Sequence, residues 1–230
     1  MINDTWGMST RKKRRKYSIE CNEDNDEDVV SDKSSKKKNP CLAGNDSDKH
    51  VWLNGNHIYF YAGVTKTSVY KLNEKIVELN TEFEELQQSN PKITMTPEPI
   101  MLHINSYGGS VFAAFAAVDM IMQSKIPIHT IVEGATASSG TIMSVVGKKR
   151  YIRPHASMLI HQLSSWIGGK MTEVEESMEN LEQMMQSIKD IYLEHTKLRG
   201  RKLDELLKHD LWWKPNVCLE YGLVDEIYKV

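Results

Sequence analysis

Ile128-His129-Thr130-Ile131-Val132, then Gly134-Ala135-Thr136-Ala137-Ser138-Ser139-Gly140, then Thr141-Ile142-Met143-Ser144-Val145-Val146: this run decides the fold. The first part is apolar and β-branched and reads as a buried strand. The middle holds only small residues, so the backbone can turn sharply there. The last part reads as the first turns of a buried helix. A serine at a strand-to-helix turn has an exposed hydroxyl beside the free N–H groups of the new helix, a suitable place for an acyl-transfer nucleophile. The same small residues would equally serve a close helix–strand packing turn with no chemistry.

Working outward, His57–Val64 is rich in β-formers, and Thr67–Leu86 carries apolar residues close to helical spacing. Asn54-Gly55 is a turn signal, and the Pro-containing stretch 95–99 is a loop. Ile100–Ile104 is a second strand, broken by Asn105-Ser106-Tyr107-Gly108-Gly109-Ser110. Val111–Gln123 reads as a helix apolar nearly all round, hence buried. Lys148–Arg150 is expected as a surface turn, with short strands at Tyr151-Ile152 and Met158–Ile160, the second ending on His161-Gln162. Alternating strands and helices predict an α/β domain with a largely parallel sheet. Ligands bind such sheets at the carboxyl ends of the strands, where Gly108-Gly109, Ser138 and His161 all fall.

Residues 171–198 form the longest helical pattern, with a Met-rich stripe that suits a core or a partner-helix face. Gly200 is expected to end it, and Tyr221–Ile227 to turn into a final strand.

Residues 1–50 are a different material. Basic 11–16, acidic 20–28 and basic 36–38 alternate with few apolar residues, which predicts a disordered tail ahead of a folded domain at 51–230. The basic block could serve nuclear import or nucleic acid, or stay solvated. The net charge of −2 gives no general reason to bind nucleic acid or membrane. No apolar run is long enough to span a bilayer, and no secretory h-region is present. Cys21, Cys41 and Cys218 form no framework, which points to a reducing, cytoplasmic setting. The eight histidines are scattered, so neither a metal nor another cofactor is expected.

Taken jointly, four motifs resemble the proteolytic subunit of the Clp protease, over roughly Val51 to the end. Residues 105–110 are similar to that family's Asn-Ser-Pro-Gly-Gly turn, and 134–140 to its nucleophile turn. Residues 158–162 are similar to its Met-Ile-His-Gln, and 220–225 to its Glu-Tyr-Gly-Leu-Val-Asp. The resemblance implies a crotonase-like α/β fold of repeated β-β-α units with a long handle helix at 171–198. It implies a serine endopeptidase with Ser138 as nucleophile, His161 as base and Asp210 as the third triad member. The backbone N–H groups of Gly109 and Ser139 would form the oxyanion hole. It further implies heptameric rings stacked in pairs, an ATP-dependent unfoldase as partner, and unfolded proteins or peptides as substrates. Tyr107 departs from the family's proline, Leu163 stands where a proline often follows, and the tail is unlike the family's short axial loop. Viral relatives of this fold serve as capsid-maturation proteases. Two other functions stand beside the peptidase: a non-catalytic ring subunit or scaffold, and a crotonase-type acyl-CoA enzyme, which would use acidic residues rather than a Ser–His pair.

Overall fold

The computed structural model describes residues 50–229. The readings of a disordered tail, and of an import signal at 11–16, concern residues outside that range. A hairpin opens the described chain: β1 (Val51–Asn54) pairs antiparallel with β2 (His57–Phe60) across the turn at Gly55, whose φ is +61°. The sequence reading found the turn but missed β1, because four residues ending in Asn are too few to show a period.

Next come α1 (Lys66–Ser89), β3 (Ile100–Ser106), α2 (Val111–Gln123), β4 (Ile128–Ala137) and α3 (Ser139–Val145). A capping box starts α1: the Thr65 hydroxyl accepts from the Ser68 N–H (3.1 Å), and Ser68 Oγ accepts from the Thr65 N–H (3.0 Å). Then follow β5 (Lys149–Ile152), β6 (Ser157–Leu159), α4 (Met171–His195), α5 (Gly200–Leu207), α6 (Pro215–Glu220) and β7 (Glu226–Ile227). The strands form one sheet in the order β1-β2-β3-β4-β5-β7, parallel apart from the first pair. Parallel pairing follows from the helical crossovers, since a short loop cannot return the chain to the same edge.

On one face of the sheet, Ile58, Phe60, Ile100, Leu102 and Ile104 lose contact with water entirely or almost so, packing with α1 and α2 side chains into the main core. Burying each such side chain contributes about 1.5–3 kcal/mol. The opposite face carries Trp52, Tyr59 and His103, with Tyr59 stacked on both Trp52 (4.7 Å) and His103 (4.4 Å).

β4 is longer than its apolar run implied. Residues 134–137 remain strand, and the turn is made at Ser138 alone. Its register against β3 shifts between Ile104 and Ser106. The first half of β4 pairs with β5, and the second half, Ala135–Ala137, pairs with β6.

Three expectations need correction. α2 is not buried all round: Phe112 is 70% exposed, on an outward stripe with Ala116, Asp119 and Gln123. The two polar residues of that stripe were the signal, and the large neighbours outweighed it. Lys149 and Arg150 belong to β5 rather than to a turn. α4 ends at His195, where Thr196 caps it by donating its hydroxyl to the Tyr192 carbonyl; Gly200, at φ +45°, opens α5 instead. The stripe on α4, read as a core or a partner-helix face, divides between the two: Ile188 and Tyr192 are its buried residues, both in the C-terminal half, and Met178 is exposed.

Candidate active site

Ser138 is the only non-glycine with positive φ among the described residues, at φ 54° and ψ −130°. Such a backbone costs about 1–3 kcal/mol and persists only where its surroundings hold it. Three bonds do so. The Ser138 N–H donates to the Leu159 carbonyl at 2.9 Å. The Ser138 carbonyl accepts from the Thr141 N–H at 2.9 Å and from the Thr141 hydroxyl at 2.5 Å. Ser138 is half-buried, whereas its neighbour Ser139 is buried.

β6 brings the histidine. Two residues past that strand, His161 directs Nδ1 at Asp210 Oδ1, 3.0 Å away. A carboxylate only accepts, so Nδ1 carries the proton and Nε2 faces away from Asp210. Asp210 itself arrives through a main-chain junction. Met158 and Trp213 exchange both N–H···O bonds (3.0 and 2.7 Å), and the Gln162 N–H donates to the Leu207 carbonyl at 2.7 Å. Asp210 is 77% exposed and His161 28%. Asp225, the acid that closes the 220–225 motif, instead grips Arg150 through both carboxylate oxygens.

The glycine turn closes the third side. Val64 donates to the Gly108 carbonyl (2.8 Å) and accepts from the Ser110 N–H (2.7 Å), which turns the Gly109 N–H away from Val64. A Cβ on Gly109 would come within 2.3 Å of the Val64 carbonyl oxygen, and one on Gly108 within 2.7 Å of the Ser138 Cβ, so neither position takes a side chain. Ser139 is the first residue of α3, where an N–H has no partner within the helix. Gly109, Ser138, Ser139 and His161 line one cavity of about 60 Å³, floored by Ile142 and Tyr192. A hydroxyl, an imidazole backed by a carboxylate, and two backbone N–H donors are the parts that nucleophilic acyl transfer uses.

Two features escaped the sequence reading. Tyr192 was read as one apolar step on a helix, yet its hydroxyl meets Thr141 at 2.6 Å, 51 positions away. Burial pushes that phenol well above its ordinary range. Glu133 is the second. It accepts from Arg153 Nε (2.8 Å), His103 Nδ1 (2.9 Å) and the Tyr61 hydroxyl, and His57 in turn donates to His103 Nε2 (2.8 Å). A glutamate beside a glycine gives no periodic signal for such a network. Among the described residues no three His, Cys, Asp or Glu side chains are grouped to hold a metal, and no helix is long and apolar enough to cross a membrane.

Comparison with known proteins gives a consistent result. A family described as Clp protease matches residues 54–230. The ATP-dependent Clp protease proteolytic subunit 1 of Chlamydia trachomatis is 31% identical over 179 residues, covering 76% of this chain and 87% of that protein. The proteolytic subunit 2 of Treponema denticola is 32% identical over 204 residues, covering 87% and 94%. The proteolytic subunit 3 of Streptomyces coelicolor is 32% identical over 165 residues, covering 68% and 76%.

Proposed function

Because this chain belongs to the Clp protease family, we propose that it is a serine endopeptidase acting through Ser138, His161 and Asp210. The observation that carries the reading is the 3.0 Å His161–Asp210 bond at the rim of the cavity that Ser138 also lines.

Ser138 Oγ attacks the carbonyl carbon of the scissile peptide, and His161 Nε2 takes the hydroxyl proton as the C–O bond forms. Asp210 holds the imidazole in the required tautomer and steadies its charged form. The oxyanion of the tetrahedral intermediate accepts from the N–H groups of Gly109 and Ser139; losing one such donor costs about 3–4 kcal/mol. His161 then gives its proton to the leaving amine, and water repeats the sequence in reverse to free the acid and regenerate Ser138. Both hole donors are main-chain groups, so a serine at 139 serves as well as any other residue.

The assembly follows the family: heptameric rings stacked in pairs, enclosing the sites and admitting unfolded proteins or peptides delivered by an ATP-dependent unfoldase, in the cytoplasm. The exposed N-terminal half of α4 suits contact between rings. Retention of hydroxyl, imidazole and carboxylate together weighs against a scaffold without activity, and a Ser–His pair weighs against the acid-based chemistry of acyl-CoA enzymes.

A fluorophosphonate probe tests the reading, with the modified peptide identified by mass spectrometry. Label on Ser138 that is absent in Ser138→Ala and lost in His161→Ala is the expected result. Unlabelled protein that nonetheless sizes as a ring would overturn the catalytic reading in favour of a scaffold.

A further inference from the structure

The Ser138 carbonyl belongs to the same peptide group as the Ser139 N–H. A trans peptide is planar, so its C=O and N–H point in opposite directions and turn together. Whatever fixes the Ser138 carbonyl therefore aims the Ser139 N–H. Two donors from Thr141 hold that oxygen, the backbone N–H at 2.9 Å and the side-chain hydroxyl at 2.5 Å.

The hydroxyl bond belongs to a longer chain with one direction. A carbonyl can only accept, so Thr141 spends its single hydroxyl proton on Ser138. Its remaining contact, to the Tyr192 hydroxyl at 2.6 Å, must then be one it accepts. The proton order is Tyr192 O–H to Thr141 O–H to Ser138 C=O. Successive hydroxyls in such a chain polarise one another and strengthen the last bond. Water does not compete: Thr141 is fully buried, and Tyr192 is 1% exposed.

Resting on the serine-peptidase reading above, we infer that Tyr192 is a positioning residue for catalysis: through Thr141 it locks the 138–139 peptide so that the Ser139 N–H faces the oxyanion. Its hydroxyl is bonded to Thr141 rather than to the nucleophile or the base. The consequence for regulation is direct. Tyr192 rides on α4, whose N-terminal half has no buried residue in the single chain. A shift of α4 in the assembly would loosen the chain and turn the oxyanion donor, and through the Leu163 N–H bond to Met185 and the Lys189–Asp204 pair it would also reach the segments that carry His161 and Asp210.

Three variants test this: Tyr192→Phe, Thr141→Val and Thr141→Ser, with the double variant Tyr192→Phe/Thr141→Val. The readouts are kcat and KM on a fluorogenic peptide, and the rate of fluorophosphonate labelling at Ser138. Tyr192→Phe keeps the ring and removes one donor, so kcat and the labelling rate should each fall about 10-fold with KM unchanged. Thr141→Val should fall further, and Thr141→Ser, which keeps the hydroxyl, should return close to the parent rate. Since Tyr192 acts only through Thr141, the double variant should be no slower than Thr141→Val. Multiplying losses in the double variant, a Tyr192→Phe loss confined to KM, or a Tyr192→Phe rate equal to the parent's would each overturn the inference while leaving a labelled Ser138 and the peptidase reading intact. A parent protein that does not label at Ser138 would overturn the peptidase reading, and this inference with it.

Discussion

Asp210→Asn tests the proposed triad, because the structure gives an unusual expectation for it. At 3.0 Å, a carboxylate and an imidazolium attract by about 1.4 kcal/mol in water and about 5.5 kcal/mol at an effective dielectric of 20. Those limits correspond to losses of about 10-fold and about 10,000-fold in kcat. Exposure decides between them. With 77% of the Asp210 side chain in contact with solvent, the pair sits near the aqueous limit. An asparagine there is also free to rotate its amide oxygen towards the His161 Nδ1–H, so the productive tautomer survives part of the time. Loss of orientation then adds roughly another factor of 10, for a total of about 10- to 100-fold. The assay is kcat on a fluorogenic peptide at neutral pH, with circular dichroism as a control for folding. A loss near 10,000-fold would refute the reasoning, by showing that the carboxylate works in a desolvated setting. An unchanged kcat would remove Asp210 from the mechanism altogether.

Other expectations rest on the core and the sheet. Glu133→Gln turns a three-donor acceptor into a group that can satisfy only part of Arg153, His103 and Tyr61; it should destabilise by about 2–4 kcal/mol. Urea unfolding with unchanged m would measure this, and a loss below about 1 kcal/mol would show that the network is no stronger than a surface pair. Stability should also fall with acid in two windows. Burial holds His103 below its ordinary 6.5, with the pull of Glu133 only partly offsetting it, so the unfolded chain binds the proton first as pH drops below about 6.5. Burial alone would raise Glu133, but the bonds from Tyr61, His103 and Arg153 outweigh it and hold the carboxyl below its ordinary 4.5; its contribution is present above about 4.5 and lost as pH falls further. Urea midpoints from about pH 8 to about pH 3 should decline through both windows, and a flat profile would contradict the signs. Burial pushes the Cys218 thiol up to about 12, so in native protein at about pH 8 it should resist alkylation until denaturant is added, as read on the peptide that carries it.

Much of the site was legible because its residues lie in short, chemically dense motifs. Ser138 stands out by the small residues around it, and Gly108-Gly109 by the turn that only glycine permits. Their spacing after apolar runs placed both at strand ends, where the structure has them. The strand before it placed His161 at the same rim, but its role as base came through resemblance, as did Asp210 altogether, since an acid before Trp212 says little alone. The Tyr192–Thr141 contact and the Glu133 network join residues far apart in the chain, and no periodicity in either partner announces the other. Phe112 shows the opposite limit: its side chain argued for burial, but the position on the helix, which it shares with Asp119, decided for solvent. β1 was too short to display alternation, and it exists because β2 offers it an edge.

The junction at β6 has one more consequence. Ser138 is bonded to Leu159, Met158 to Trp213, and His161 follows two residues after the strand, so a three-residue strand ties together the segments that carry the proposed nucleophile, base and acid. Every one of those ties is between main-chain atoms. Main chain is common to all sequences, so the lettering of residues 157–159 can drift without carrying the three groups apart, provided the pleat and the apolar face are kept. A scaffold of that kind tolerates long divergence in spelling while its chemistry stays in register.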